Sequence, residues 1–464
     1  MSCTKDTTDP RLKLIFISIK GILRSLQILL PPQKNENHAM FKYISLVLTG
    51  VSLLFFIPTK AQDTLKLSLE ESETLFLQNN LHLIAGRIDL DIKDLQIEVE
   101  KLWDNPAFEL EHQILNRAGK GPLGFTNQDN TAFGFEQLFV TAGKRGHRIQ
   151  LAELDRMMTE HELGQLIREF KRTLREEFIN LAFLNRMEGL YQQQIDALDQ
   201  ILVSFEEQLE EGNIPRIEVI RLRALVIELE KEYNELIGKQ QQARKALSVL
   251  LQLENQLPEP IFPQQLENIL QREELPNLDE LYELALESRK DLRSAMTGID
   301  YAERSLMLER ANQWPDVGIG LVYDRLDGFV DNYFAITFST DLPLWNRNRQ
   351  NIQIATHQIR QSELQFNQKQ QELLLEIQTA INRYERAIRL FERADHTFEQ
   401  EFGSILEAIN LQYRQGDIRL IEFIDFYESF REGIIRNYKI SEELLQSAEE
   451  LNFIIGQDII QFNF

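Results

Sequence analysis

The sequence predicts a mainly α-helical protein built from one unit written twice, each unit holding a helix, a pair of strands and a very long helical hairpin. Three observations predict it. Residues recur at two fixed offsets, long stretches without proline keep an apolar residue every three or four positions, and short alternating runs interrupt them at matching points. At an offset of 209, Leu69, Glu71, Leu75, Leu77, Leu83, Asp91, Glu100 and Pro106 fall on Leu278, Glu280, Leu284, Leu286, Leu292, Asp300, Glu309 and Pro315. At an offset of 204, Gly212, Ile214, Ile217 and Glu218 fall on Gly416, Ile418, Ile421 and Glu422. These offsets divide the chain into a first repeat (62–254), a connecting segment (255–277) and a second repeat (278–464), preceded by a leader.

The leader differs from the rest in charge. Its 61 residues hold 8 basic and 3 acidic side chains, whereas the whole chain of 464 carries 50 basic and 73 acidic ones, a net charge of −23. Met40-Phe41-Lys42 leads into an apolar run from Ile44 to Ile57, too short to span a bilayer and suited to a signal peptide, and Thr59-Lys60-Ala61 supplies a small residue before Gln62. Residues 40–61 are therefore expected to be a signal peptide, with Met40 the true start and 1–39 an upstream extension. The only cysteine, Cys3, lies in that extension. An exported chain would have no disulfide and no thiol nucleophile. With the leader removed the net charge is −28, a surface that repels phosphate backbones and argues against nucleic-acid binding.

Each repeat opens with a helical segment, Leu69 to Leu102 and Leu278 to Ala311, that stops at a proline. The pattern then alternates. Val317, Ile319, Leu321 and Tyr323 form one strand, and Phe334, Ile336 and Phe338 a second, across a turn containing Asp327-Gly328; Phe108, Leu110 and His112, then Phe133 and Phe135, repeat this across a glycine-rich loop from Gly119 to Gly124. Glu109 and Glu111 charge the opposite face of the first strand. Phe108, Phe133, Phe135, Phe334, Ile336 and Phe338 are the candidates for a lipid-facing side.

The longest helical readings come next. From about Lys144 to Glu211, and from about Arg347 to Gln415, there is no proline, and stripes such as Leu184, Met187, Tyr191, Ile195, Leu198, Leu202, Phe205 and Leu209 step as a coiled coil does. At 1.5 Å per residue such a helix is on the order of 100 Å long. Gly212 and Gly416 end the two helices, and a second helix returns from each. A soluble helical rod is the plain alternative, but it leaves the two β-hairpins unexplained. Four strands cannot close a barrel, whereas three copies supply twelve.

Enzyme signatures are missing. The seven histidines never stand as an i, i+4 pair, and no phosphate-binding loop, nucleophile elbow or calcium loop occurs. No catalytic residue, cofactor site or metal site is expected.

In Phe135-Glu136-Gln137-Leu138-Phe139 with Gly143-Lys144-Arg145-Gly146, in Leu342-Pro343-Leu344-Trp345-Asn346-Arg347-Asn348-Arg349, and in Tyr413-Arg414-Gln415-Gly416-Asp417-Ile418, the chain resembles the TolC family of outer-membrane efflux proteins. The likeness covers nearly all of both repeats and is strongest to the branch that serves cation-exporting pumps of the RND type. It implies a fold mainly α with a membrane β-barrel portion, the duplicated helical hairpins forming a trimeric α-barrel and four strands per protomer contributing to a twelve-stranded barrel. It also implies a homotrimer in outer-membrane lipid, with its helices in the periplasm, working with a periplasmic adaptor (membrane fusion) protein and an inner-membrane RND pump. Gly212, Asn213, Ile214, Gly416, Asp417 and Ile418 would be the tips that the adaptor contacts. Glu218, Glu422 and Asp425 would be the periplasmic gate, which three-fold symmetry turns into rings of like charge. The family more often has Asp where Glu218 and Glu422 stand. Divalent metal cations are the expected cargo. The alternatives are a multidrug or small-molecule duct of the same fold and a coiled-coil adaptor without a pore.

Overall fold

A computed structural model describes residues 63–113, 130–263, 275–326, 330–394, 398–415 and 417–462. The leader, the glycine-rich loop, the Asp327-Gly328 turn and Gly416 lie outside the described residues. The chain runs β1 (Asp63–Leu67), α1 (Leu69–Asn79), α2 (Leu81–Lys101), β2 (Ala107–His112), β3 (Thr131–Phe139), α3 (Lys144–Glu210), α4 (Arg216–Leu251), β4 (Gln256–Pro260), α5 (Leu278–Ser288), α6 (Lys290–Ala311), β5 (Val317–Leu326), β6 (Asp331–Thr340), α7 (Arg349–Arg393), α8 (Phe398–Gln415) and α9 (Leu420–Ile455).

The duplication reaches down to single hydrogen bonds. Ser68 and Glu71 form a capping box at the start of α1, and Asn277 and Glu280, both 209 positions later, form the same box at the start of α5. The return helices α4 and α9 each have 36 residues and stand 204 positions apart. Each closes on a left-handed residue, Gln252 and Gly456.

The structure adds detail to the expected elements in three places. The opening segments are not single helices: α1 gives way to α2 at Asn80 and α5 to α6 at Arg289, again 209 positions apart, and both joints have extended backbone. Asn80 is buried, donates Nδ2 to the Leu250 carbonyl at 3.1 Å and accepts from His82 N and Leu83 N, so a buried polar anchor ends one helix and starts the next. The second long helix is also interrupted, because Ala394 is extended and α8 begins only at Phe398. The intervening Asp395-His396-Thr397 are residue types whose side chains compete for backbone bonds or lose rotamer freedom in a helix. Lastly, the connecting segment contains a strand: β4 pairs in parallel with β1. The two prolines in β4 hid it, although proline is tolerated in so short a ladder.

The 67-residue helix α3 is the spine. It packs against α2, α4, α6 and α9, while α7 packs against α6 and α9. Phe178, Leu181, Phe183, Leu198 and Phe205 of α3 share one core with Leu222 and Leu229 of α4 and with Phe423, Tyr427 and Tyr438 of α9. The other side of α9, with Leu444, Ala448 and Leu451, packs into a second core with Ile377, Tyr384 and Phe391 of α7. Full burial of one such large apolar side chain stabilises by about 1.5–3 kcal/mol.

A buried ion cluster crosses this core. Arg175 donates to Glu73 at 2.6 Å, to Glu449 at 2.8 Å and to both carboxylate oxygens of Asp458 at 2.7 and 2.8 Å, and Lys171 adds contacts to Glu73 and Asp458 at 3.2 Å. Burial pushes the Glu449 carboxyl up to about 7 despite Arg175, whereas Arg175 and Lys171 outweigh burial at Asp458 and hold it at about 2. A carboxyl raised in the folded state binds a proton that the unfolded chain has already lost. Stability from Glu449 is thus present below about pH 4.5 and is lost as pH rises through about 7. We expect chemical denaturation of the purified protein to show stability falling between pH 5 and 8, and Glu449→Gln to flatten that slope; an unchanged slope would contradict this account of Glu449.

Candidate functional site

Two regions stand out, the sheet and the far end of the helical hairpins. The sheet is antiparallel in the order β2-β3-β5-β6. Its register places Phe108 opposite Phe135 and Leu110 opposite Phe133, then Phe135 opposite Leu321 and Phe133 opposite Tyr323, then Leu321 opposite Ile336, Tyr323 opposite Phe334 and Ile319 opposite Phe338. All six candidates for the apolar side therefore share one face, and they are exposed, up to 76% at Phe334. The other face carries Glu109, Glu111 and Glu136 beside Gly134, Gly318 and Gly320. The Ser339 hydroxyl donates to Glu136, whose carboxylate lies across Gly318 where a Cβ would collide with it. One face is fit for hydrocarbon and the other for water.

At the junction of sheet and helices the backbone turns sharply twice. Gly143 (φ 73°) precedes α3 and Asn348 (φ 58°) precedes α7, 205 positions apart. Lys144 Nζ and the Thr141 amide both donate to Asp316 at 2.8 Å, tying the start of α3 to the start of β5. Asn348 Nδ2 donates to the Glu309 carbonyl at 2.8 Å, tying α7 to the end of α6. Arg145 lies 4.6 Å over the Trp103 ring, and Trp345 is 94% exposed.

The far end holds the predicted tip and gate residues. Gly212 has φ 76°, its N–H donates to Leu209 O and that of Asn213 to Gln208 O, a Schellman turn that only glycine enters without strain. Asp417 N donates to Gln412 O, the same bond 204 positions later. Asn213 and Asp417 are exposed, and Ile214 and Ile418 are half-buried. Glu218 and Glu422 are both the third residue of their helices, where the helix dipole favours an acid. Glu422 accepts from the Arg419 backbone N–H at 2.8 Å and from its guanidinium at 3.0 Å, and these bonds hold its carboxyl below the usual range. Asp425 is exposed; one turn on, Glu428 is pushed up mainly by burial, with Glu228, Glu432 and Asp425 adding to it against Arg431.

Sequence reasoning missed the residue that joins these elements. Tyr413 of α8 stacks on Phe205 of α3 at 5.1 Å, meets Phe423 of α9 at 5.6 Å and donates its hydroxyl to Glu218 of α4 at 3.2 Å. Burial, then the Glu218 carboxylate, push its phenol well above the ordinary value. One side chain thus bonds the second hairpin to the first. The spacing of Tyr413 three residues before Gly416 was the available signal. Beside it is a cavity of about 640 Å³ between the hairpins, with Glu207, Glu211 and Glu218 around an apolar floor of Phe205, Ile214 and Ile418.

Residues 281–457, nearly all of the second repeat, match the outer membrane efflux protein family. Over that stretch the chain carries the domain of that family. It is 21% identical to CzcC, a cobalt-zinc-cadmium resistance protein of Cupriavidus metallidurans, over 411 residues that cover 88% of this chain and 94% of that one. The fold is also that of the solved channel protein CusC, with a TM-score of 0.68 at 15% identity, covering 84% of this chain and 92% of that one. The Campylobacter jejuni outer-membrane channel CmeC superposes with a TM-score of 0.67 at 16% identity, covering 84% and 86%. The matched domain is that of outer membrane efflux proteins, a family of transport ducts. Among the described residues, no group of three or more metal-ligating side chains is assembled, and no helix is long and apolar enough to cross a membrane.

Tyr413→Phe keeps the ring stack and loses one hydrogen bond. It is expected to cost about 1 kcal/mol in denaturant titration, with Tyr413→Ala costing severalfold more; no cost for Tyr413→Phe would show that the bond contributes nothing, and equal costs that the ring stack does not.

Proposed function

We propose that the chain forms a homotrimeric exit duct for divalent metal cations, the outer-membrane part of a tripartite system with a periplasmic adaptor and an inner-membrane RND pump. The observation that carries the trimer is the unequal surroundings of two equivalent helices. In the second repeat, α6 packs between α3 and α7. Its first-repeat counterpart α2 packs on α3 alone among the long helices and leaves Leu81, Ile88, Ile92, Leu95 and Val99 exposed along one face. A neighbouring copy supplying α7 gives α2 the same surroundings. The sheet agrees with this. Its internal joint between repeats is β3 on β5, and the equivalent joint outward is β6 on the neighbour's β2, which closes after twelve strands. The six apolar-face residues then meet lipid and Glu109, Glu111 and Glu136 line the lumen.

The tip follows from the same symmetry. Gly212, Asn213, Ile214, Gly416, Asp417 and Ile418 recur around the mouth as the adaptor's landing ring, and the acidic cavity between hairpins fits a partner loop presenting a cation beside an apolar side chain. Glu218, Glu422 and Asp425 form the gate. Cargo is assigned from the name of the Cupriavidus relative and from this acidity, which draws cations to the mouth.

Heat-resistant trimers are expected in the outer-membrane fraction, with Ile88→Asp/Ile92→Asp shifting the protein to monomers; a stable monomeric wild type would refute the trimer. In planar bilayers, Glu422→Ala with Asp425→Ala is expected to change conductance and weaken block by divalent cations, and no effect on either removes them from the gate. Deleting the gene is expected to lower tolerance to zinc, cobalt or cadmium. Loss of tolerance to dyes and bile salts alone would instead assign an organic cargo.

A further inference from the structure

Inside the two long helices the repeats match at an offset of 203. Ile149, Gln150, Ala152, Glu160, Gln165 and Glu169 of α3 fall on Ile352, Gln353, Ala355, Glu363, Gln368 and Glu372 of α7. Two of these residues make the same bond in both copies: Gln165 Nε2 donates to Glu169 at 2.7 Å, and Gln368 Nε2 to Glu372 at 2.9 Å. A cavity of about 980 Å³ lies between α3, α6 and α7, and each of the five α3 residues lining it has its partner 203 positions later on the α7 wall. Both repeats therefore turn the same helix face toward this space. Lys171 and Arg175 hold α1 and Asp458 on another side of α3. At about 100° per residue they stand about 160° and 120° round from Glu169, so the cavity opens on the side that these docked elements leave clear. In a ring of helices that side is the lumen.

The charges around the cavity do not cancel. Its one cation, Lys369, acts on Asp291, which Arg289 also holds at 2.7 Å, whereas Glu162, Glu169 and Glu372 are exposed and have no ion pair among the described residues. We propose that Glu169 and Glu372 of three copies form a ring of six carboxylates inside the duct, a charge filter that passes hydrated cations and turns back anions, with Gln165 and Gln368 as its positioning residues. This rests on reading the chain as a trimeric duct. A Gln four residues before a Glu lies on the same helix face, and an amide orients a carboxylate without neutralising it, as a lysine would. Rings of acidic side chains favour cations over anions by raising the local cation concentration, which requires no dry ligand site. From Glu169 to Gly212 the chain runs 43 residues, about 65 Å of helix, against the roughly 8 Å over which salt screens a charge. The ring therefore acts independently of the tip acids.

The test is ion selectivity in planar bilayers under a potassium chloride gradient, read from the reversal potential of the full chain. With Glu422→Ala and Asp425→Ala removing the tip acids, the channel is expected to remain cation-selective. Adding Glu169→Gln with Glu372→Gln should lower the potassium-to-chloride permeability ratio at least twofold, whereas Glu169→Asp with Glu372→Asp, which keeps the charge, should retain most of it. Glu160→Gln with Glu363→Gln is the control, since it removes the same charge from a matched pair of acids that does not line the cavity. An unchanged ratio for Glu169→Gln/Glu372→Gln, or an equal fall in the control, overturns the filter and leaves the duct standing. Folded trimers that pass no current in any variant refute the duct, and the filter with it.

Discussion

Arg175 is the point on which the helical part is hung. Three of its bonds end on elements that are distant in sequence: Glu73 in α1, Glu449 in α9 and Asp458 in the segment after it. A guanidinium can serve them together because its donors are fixed in a plane, and its burial makes any unpaired partner expensive. The cluster therefore sets how α9 lies along α3. Toward the tip the helices are held by apolar side chains, Leu198, Phe423 and Tyr427 among them, that share one core. Charge supplies the register, and apolar burial supplies most of the adhesion.

The duplication explains why so much architecture was legible. Proline positions, the Phe-x-Ile-x-Phe alternation at 334–338 and the glycine before Glu218 each mark a place where backbone chemistry leaves few options. A second copy at a fixed offset turned each weak signal into a paired one. What escaped was decided by three-dimensional packing. Asn80 breaks a helix because its amide finds the Leu250 carbonyl, 170 residues away, and no local pattern reports that. The parallel pairing of β1 with β4 joins segments that look like connection. The interruption after Arg393 has no equivalent in α3, so the repeat itself argued against it.

The candidate site was legible as a location more than as a mechanism. Glycine turns and following acids pointed to the tip, yet both acids also serve as third residues of helices, and Glu422 is engaged by its own Arg419. Tyr413 was visible only as part of a motif. Its role depends on Phe205, Phe423 and Glu218 converging from three other helices, a relation that spacing along one chain does not encode.

The two arms between sheet and tip have one further property. The helix α3 spans 67 residues, and the stretch from Arg349 to Gln415 occupies the same number of positions although it is broken at Ala394. Equal arms make the protein a gauge. Each residue advances a helix by about 1.5 Å and turns it by about 100°, so an insertion in one arm alone would lower one turn of the rim and rotate its side chains away from the seam. Length can therefore change in evolution or by design only through matched, whole-turn edits in both repeats. The distance spanned from the membrane is inherited as a single quantity recorded in two places.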